Sequence, residues 1–371
     1  MAVYKTLVNK ISISPDKKTK QKAYLEKGKL AIVDQGQNLI GGYTDNLNMM
    51  VECDLPVIVF GDHTRAVKYI TFPFGAGADG IKILKPKENV LPLFLYYATQ
   101  YIVAKMPDRG YARHYQYVEK EDLSIPSIDE QQRIVSRIEE LFSSLDNAVE
   151  TLQKTKEQLT VYRQAVLKEA FEKCPAHIAV ESITQHVTDG DHMPPPKADT
   201  GIPFIMISNI QGNEICWENT AFVDKEYFEK IDCKRKPQNG DVLYTVTGSY
   251  GIPVLVDYNR DFCFQRHIAL LRPNERILQK YLFYSLMSPD VFDQATKGAT
   301  GTAQKTVGLG VLRRIKIPYI AELPAQMKIV ENIESKLSMC ENIEQMVSTA
   351  LAQAETMRQS ILKEAFEGRL S

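Results

Sequence analysis

Hydrophobic residues follow two different rhythms along this 371-residue chain. In two stretches they recur at alternating steps of four and three. The first runs Ile134, Ile138, Leu141, Leu145, Ala148, Leu152, Thr155, Leu159, Tyr162, Val166. The second runs Ile329, Ile333, Lys336, Cys340, Ile343, Val347, Ala350, Ala354, Met357, Ile361, weakened by Lys336 and by its alanines. That spacing is the heptad of a coiled coil. Neither stretch holds a glycine or proline between its ends. Ser127-Ile128-Asp129-Glu130 reads as a capping box at the first start, and Cys174-Pro175 and Gly368 read as the stops. The pattern predicts two helices of about 44 residues, about 65 Å long at 1.5 Å per residue. The predicted seam is Ile134, Ile138, Leu141, Leu145, Leu152 and Leu159 against Ile329, Ile333, Ile343, Val347, Met357 and Ile361.

The rest of the chain alternates as strands do, at Leu55 to Phe60, Phe204 to Ile207 and Asp241 to Thr247. It also repeats. Leu167-Lys168-Glu169-Ala170-Phe171-Glu172 returns, residue for residue, as Leu362-Lys363-Glu364-Ala365-Phe366-Glu367, an offset of 195 that also maps Gln131 onto Gln326 and Glu139 onto Glu334. The stretches before each helix echo one another. Ile83-Leu84-Lys85-Pro86 parallels Leu270-Leu271-Arg272-Pro273, and Ile125-Pro126 parallels Ile317-Pro318. The expected fold is therefore α+β: two globular units separated by two long antiparallel coiled-coil helices, with a pseudo-twofold internal repeat. The segments are 1–124, 125–173, 174–316 and 317–371. A pair of core helices in one large domain is the plainer alternative, and the predicted length disfavours it, since ordinary helices average ~11–12 residues.

Composition narrows the function. Net charge is −1, but it is unevenly spread: +4, −2, 0 and −3 over the four segments in order. A chain that touches a polyanion with some parts and proteins with others has this distribution. No apolar run reaches ~18 residues, so no membrane span is expected, and the N-terminus lacks a secretory core; both point to the cytoplasm. The six cysteines form no CxxC pair, which disfavours structural zinc. Gly75-Ala76-Gly77-Ala78-Asp79-Gly80 matches GxGxxG, but Ile81 to Pro86 follows it as a strand and not a helix, so a glycine turn is the better reading. There is no GxxxxGK[ST], no GxSxG, and no Asn/Asp-Pro-Pro-aromatic motif at Met193-Pro194-Pro195-Pro196. No catalytic constellation is found, and no metal site.

Several loops carry DNA-reading chemistry. His63, Thr64 and Arg65 follow Gly61-Asp62 on a turn. Tyr111, Arg113 and His114 interleave aromatic and basic groups after Gly110. In the second unit Asp191 and His192, then Gln265, Arg266 and His267, do similar work. Gln304 and Lys305 lie in the loop matching that at Gly110. Arginine suits guanine and glutamine suits adenine in the major groove, while lysine suits phosphates. Each loop by itself could equally be a local hydrogen-bond network. Two histidines fall in each unit's loops, without the spacing that puts two on one metal-facing surface.

Taken together, these residues resemble the specificity subunit of type I restriction–modification enzymes. The repeated helix ends and Ile-Pro phrases carry the resemblance, with Val33-Asp34-Gln35-Gly36-Gln37, Phe60-Gly61-Asp62-His63-Thr64-Arg65, Gly240-Asp241-Val242-Leu243 and Gln265-Arg266-His267-Ile268-Ala269. The resemblance implies that each globular unit is a target recognition domain, reading one half of an asymmetric bipartite DNA site, and that helix length selects the spacer. It implies partners: double-stranded DNA, two modification (methyltransferase) subunits and up to two restriction subunits. It implies no cofactor in this chain, the partner subunits using S-adenosylmethionine, ATP and Mg²⁺. A first unit shorter than the second (1–124 against 174–316) departs from the pattern. Competing readings are a self-contained methyltransferase or nuclease, a coiled-coil structural adaptor, and a solitary DNA-binding homologue without a restriction partner.

Overall fold

The computed structural model describes residues 1–369 apart from Asp79, Asp108, Arg109, Tyr111, Met193, Pro194 and Lys197. Each long stretch forms one helix, Ile128–Glu172 and Leu323–Phe366. The predicted ends hold. The Glu130 amide donates to Ser127 Oγ at 3.4 Å, and Gly368 takes φ +76° just past the second helix, where only glycine is unstrained.

Compactness divides the chain differently from the order of its segments. One unit comprises residues 1–153 with 348–371, and the other residues 154–347. Each helix gives one half to each unit, because its two ends bury side chains in two different cores. Val135, Ile138 and Phe142 at the start of the first helix join Phe94, Tyr101, Ile361 and Leu362 in the first unit's core. Leu167 and Phe171 at its end join Tyr281, Val330 and Ile333 in the second. The repeated motif explains this. Phe171 packs edge-on against Tyr281, and its counterpart Phe366 stacks on Tyr101.

The two units share one topology. In the first, an antiparallel sheet runs Val8–Ile11, Ile81–Pro86, Val57–Gly61, Val67–Ile70. In the second the order is Thr184–Asp189, Ile268–Pro273, Val242–Thr245, Pro253–Leu255. A second sheet in each pairs a strand antiparallel to one neighbour and parallel to another: Leu30–Val33 with Gly42–Thr44 and Phe74–Gly77, and Ile202–Ile205 with Ala221–Val223 and Cys263–Phe264. The GxGxxG stretch thus begins inside a strand and leads into the strand Ile81–Pro86. A Cβ on Gly77 would lie 2.5 Å from Asp34 Cβ, so close sheet packing accounts for that glycine. Between its second-sheet strands the second unit carries the hairpin Ile210–Gln211/Glu214–Ile215. The helix Lys225–Lys230 follows.

The repeat extends to a buried device. Gln131 and Gln326 are both fully buried. Gln131 Oε1 accepts from the Leu91 amide (2.8 Å), and its Nε2 donates to the carbonyls of Asn89 and Pro126. Gln326 makes the same three bonds to Leu278, Arg276 and Ile320. Leu91 and Leu278 precede the helices Pro92–Lys105 and Gln279–Leu286. Each long helix therefore caps a helix of a globular body with a side chain.

The predicted seam is half right. Ile138, Leu145, Leu159 and Val166 are buried, as are Ile333, Val347 and Ile361, while Ile134, Leu141, Leu152 and Ile329 are partly buried. Ile343 and Met357 are instead 39% and 54% exposed, and Tyr162 is 48% exposed. The alternate positions lie one residue further on. There the second unit pairs Arg163 with Glu344 at 2.7 Å, and the first unit pairs Arg358 with Asp146. Arg358 also covers the Phe142 ring. These polar side chains are 33% to 63% exposed and bridge the two helices as ion pairs at the edge of the seam, so apolarity alone did not select every contact position. In the second unit Arg163 meets Glu344 and Glu169 meets Lys336, so the helices run antiparallel there. Ile333→Ala should cost about 2–5 kcal/mol and Met357→Ala less than about 0.5, read as shifts in a denaturant midpoint. Equal costs would refute this register.

Candidate nucleic-acid interface

Site residues of the second unit come from three separated stretches and meet at one end of its main sheet. The strand Thr184–Asp189 continues into Gly190-Asp191-His192, which lies beside the turn Gln265-Arg266-His267. The Asp191 amide donates to Phe264 O (2.9 Å), and the Arg266 amide donates to Asp191 O (3.0 Å). The third stretch is the loop Gly301 to Thr306. Its Lys305 carbonyl accepts from the Gly248 amide at 3.0 Å, tying it to the hairpin turn after Val242–Thr245. A cleft of about 420 Å³ is lined by His192, Arg266, His267 and Gln304, with Asp189 and Thr247. A second cleft, about 370 Å³, shares His192, Arg266 and His267 and adds Asp191, Gln265 and an apolar wall including Phe204 and Phe222. Of the predicted residues in this unit, Lys305 alone does not line these clefts; it is exposed beside them and acts on the loop through its carbonyl.

The polar groups here are ordered. The Gln265 amide nitrogen lies 3.0 Å from His267 Nδ1. With the amide donating, the ring proton sits on Nε2, leaving a donor free for an acceptor in the cleft. His192 Nε2 contacts Asp189 Oδ2 at 2.8 Å, and its side chain is 59% exposed. Arg266 is exposed. The face thus presents an arginine, two imidazoles and two primary amides, the donor and acceptor types that read base edges.

The first unit joins the equivalent loops. The turn after Val57–Gly61 meets the loop ending at His114: Asp62 O accepts from the His114 amide (2.8 Å), and Asp62 Oδ1 accepts from the Tyr115 amide (2.9 Å). His63 Nδ1 donates to Ala112 O at 3.1 Å. Arg65 holds a left-handed backbone, φ +61°, which turns the chain back into Val67–Ile70. Arg113 is exposed. Two expectations change here. His114 is 1% exposed, with Nε2 against Gly110 O at 3.3 Å; it supports the loop from beneath and presents nothing to a ligand. The Thr64 hydroxyl donates inward to Gln35 O. Tyr111 lies outside the described residues.

Other members were not legible as site residues. Lys68 is 4% exposed and donates to Asp34 O at 2.8 Å, and burial pulls its pKa down against the opposing pull of Asp34. It fixes the stretch Asp34-Gln35 beside the turn at Gly61. In the second unit Arg235 and Tyr227 do the same for the Asp189 to His192 loop. Tyr227 donates to Asp191 Oδ2 (2.9 Å). Burial, and then that carboxylate, push its pKa up to about 12. In the sequence, Arg235 is one of several basic residues in a charged run and carries no periodic signal.

Two α+β bodies of one topology, each presenting joined polar loops and each built onto paired long helices, define the class of this protein. Residues 192–350 match the family model described as type I restriction modification DNA specificity domain. The chain is 24% identical over 279 residues to the type I restriction enzyme EcoBI specificity subunit of Escherichia coli, a match covering 67% of this chain and 58% of that subunit. It therefore spans little more than half the length of that relative. Among solved structures, one described as the structural basis of complex assembly and conformational transition of the type I R-M system superposes with a TM-score of 0.68 at 16% identity, over 92% of both chains. The HsdS subunit from Thermoanaerobacter tengcongensis gives 0.55 at 16% identity, over 99% of this chain and 96% of that one. The match at residues 192–350 and the similarity to these subunits relate the chain to the specificity subunits of type I restriction enzymes, whose fold it shares.

Proposed function

We propose that this chain is the DNA sequence-specificity subunit of a type I restriction–modification complex and is itself non-catalytic. Each unit reads one half of an asymmetric, bipartite duplex target. The observation that carries this reading is the convergence of His192, Gln265, Arg266, His267 and Gln304 on adjoining clefts, with corresponding loops joined in the first unit. Linking two short readouts in one chain makes the second binding event intramolecular and raises its effective concentration. Two modification subunits and up to two restriction subunits dock on this chain, supplying S-adenosylmethionine, ATP and Mg²⁺. The exposed apolar residues Met339, Ile343 and Met346, on one face of the second long helix, suit such a protein partner. The proposed setting is the cytoplasm, where such a complex meets DNA; among the described residues, no helix is long and apolar enough to cross a membrane.

The test is single-molecule methylome sequencing of a naive host that expresses this chain together with a type I adenine methyltransferase subunit. The expected result is a new split motif with methylated adenine in both halves. Arg266→Ala should relax one half of that motif, at a cost of about 1–3 kcal/mol if it pairs a base edge, and leave the other half intact. A stable complex that yields no new motif would favour a structural adaptor. Methylation by the purified chain alone would favour an enzyme.

A further inference from the structure

Behind the reading face of the second unit lies one arginine with an unusual number of bonds to a single loop. Arg235 Nε donates to Asp189 O at 2.9 Å, and Nη2 donates to Asp189 Oδ1 at 3.2 Å and to Gly190 O at 2.5 Å. Nη1 lies 3.7 Å from Asp191 Oδ1. The side chain is 29% exposed and those of Asp189 and Asp191 are 24% and 16% exposed, so these charges are screened only in part. Asp189 and Asp191 also line the clefts that hold Arg266 and His192. Two carboxylates on a surface meant for a polyanion would repel it unless paired.

We infer that Arg235 is a positioning residue for DNA recognition by the second unit: it holds the Asp189 to His192 loop in place beside the Gln265 to His267 turn and, shared between the two carboxylates, offsets half of the negative charge that would otherwise face phosphate. The inference rests on the DNA reading proposed above. Its geometry explains why an acidic loop sits on a DNA-facing surface. Asp191 is needed there for its backbone, which bridges Phe264 and Arg266, and its side chain is turned back to Tyr227 and Arg235. Arg235 itself lines neither cleft, so it acts through the loop.

The experiment compares the wild type, R235Q and the triple variant R235Q/D189N/D191N, each as the full chain with its methyltransferase, by methylome and by binding to a random-sequence duplex pool at two salt concentrations. R235Q should weaken binding on the order of tenfold and relax only the half-motif that Arg266→Ala relaxes. The triple variant, which lacks both uncompensated carboxylates, should recover most of that binding. An R235Q motif identical to the wild type's would overturn the inference. So would equal loss of both half-motifs, or no recovery in the triple variant. If R235Q does not fold, the triple variant decides alone: selective duplex binding supports the inference and its loss overturns it. A wild type that yields no split motif and enriches no duplex overturns the DNA reading itself, which separates that failure from this one.

Discussion

Gln326→Leu should destabilise the second unit by about 4 kcal/mol, since each polar group left buried and unsatisfied costs roughly 1–3 kcal/mol. The wild-type side chain is fully enclosed. It satisfies the Leu278 amide at the start of the helix Gln279–Leu286 and two carbonyls, those of Arg276 and Ile320. Leucine has nearly the same volume and makes none of these bonds, so packing is kept while three backbone groups lose their partner. Gln131→Leu should cost a similar amount in the first unit, because the bonds recur there at Leu91, Asn89 and Pro126. Thermal unfolding and limited proteolysis of the full chain would read both, with each variant exposing cleavage sites in its own unit first. A loss below about 1 kcal/mol would mean that the three backbone groups find other partners and that the glutamine does not hold the helix start in place.

Gly190→Ala should abolish recognition by the second unit while sparing the first. A Cβ on Gly190 would stand 2.0 Å from Phe264 O and 2.6 Å from Gln265 C. Both atoms belong to backbone held in a sheet and a turn, so neither can swing aside as a flexible side chain would. The loop must lift away, breaking the Asp191 to Phe264 and Arg266 to Asp191 bonds and separating His192 from Arg266 and His267. Binding to duplexes carrying the second half-site should fall by more than about 100-fold, the scale of losing two or more good base contacts at 1–3 kcal/mol each. The other half of the motif should persist in the methylome. A nearly normal motif would show that the loop does not read DNA.

Much of the architecture is legible in the sequence. The four-three rhythm and the absence of glycine and proline determined two long helices and nearly their ends, because helix formation is a local matter of periodicity and capping. The offset of 195 residues announced paired units, and its inward-facing members, Gln131 with Gln326 and Phe171 with Phe366, perform the same tasks in the structure. The residues that line the second unit's clefts were singled out as separate loops. Their residue types carried the signal: arginine, glutamine and histidine next to glycine in short turns.

Other features depended on contacts that no local pattern encodes. Arg358 and Glu344 reach across to Asp146 and Arg163 as part-exposed ion pairs while Met357 and Ile343 stay exposed, because a long polar side chain can bridge two helices and keep its charged end in water. His114 resembles Arg113 as a loop residue, yet one is buried and the other exposed, a difference set by the turn at Asp62 on which the loop rests. Arg235 could not be distinguished from its neighbours in a charged run until Asp189 and Asp191 were brought beside it. The sequence by itself determined the elements, their repetition and the chemistry of the loops, since periodicity and residue type act over a few neighbours. Only the tertiary structure decided which loops share a face, which charges cancel and which histidine is enclosed, since those outcomes join residues from distant stretches of chain.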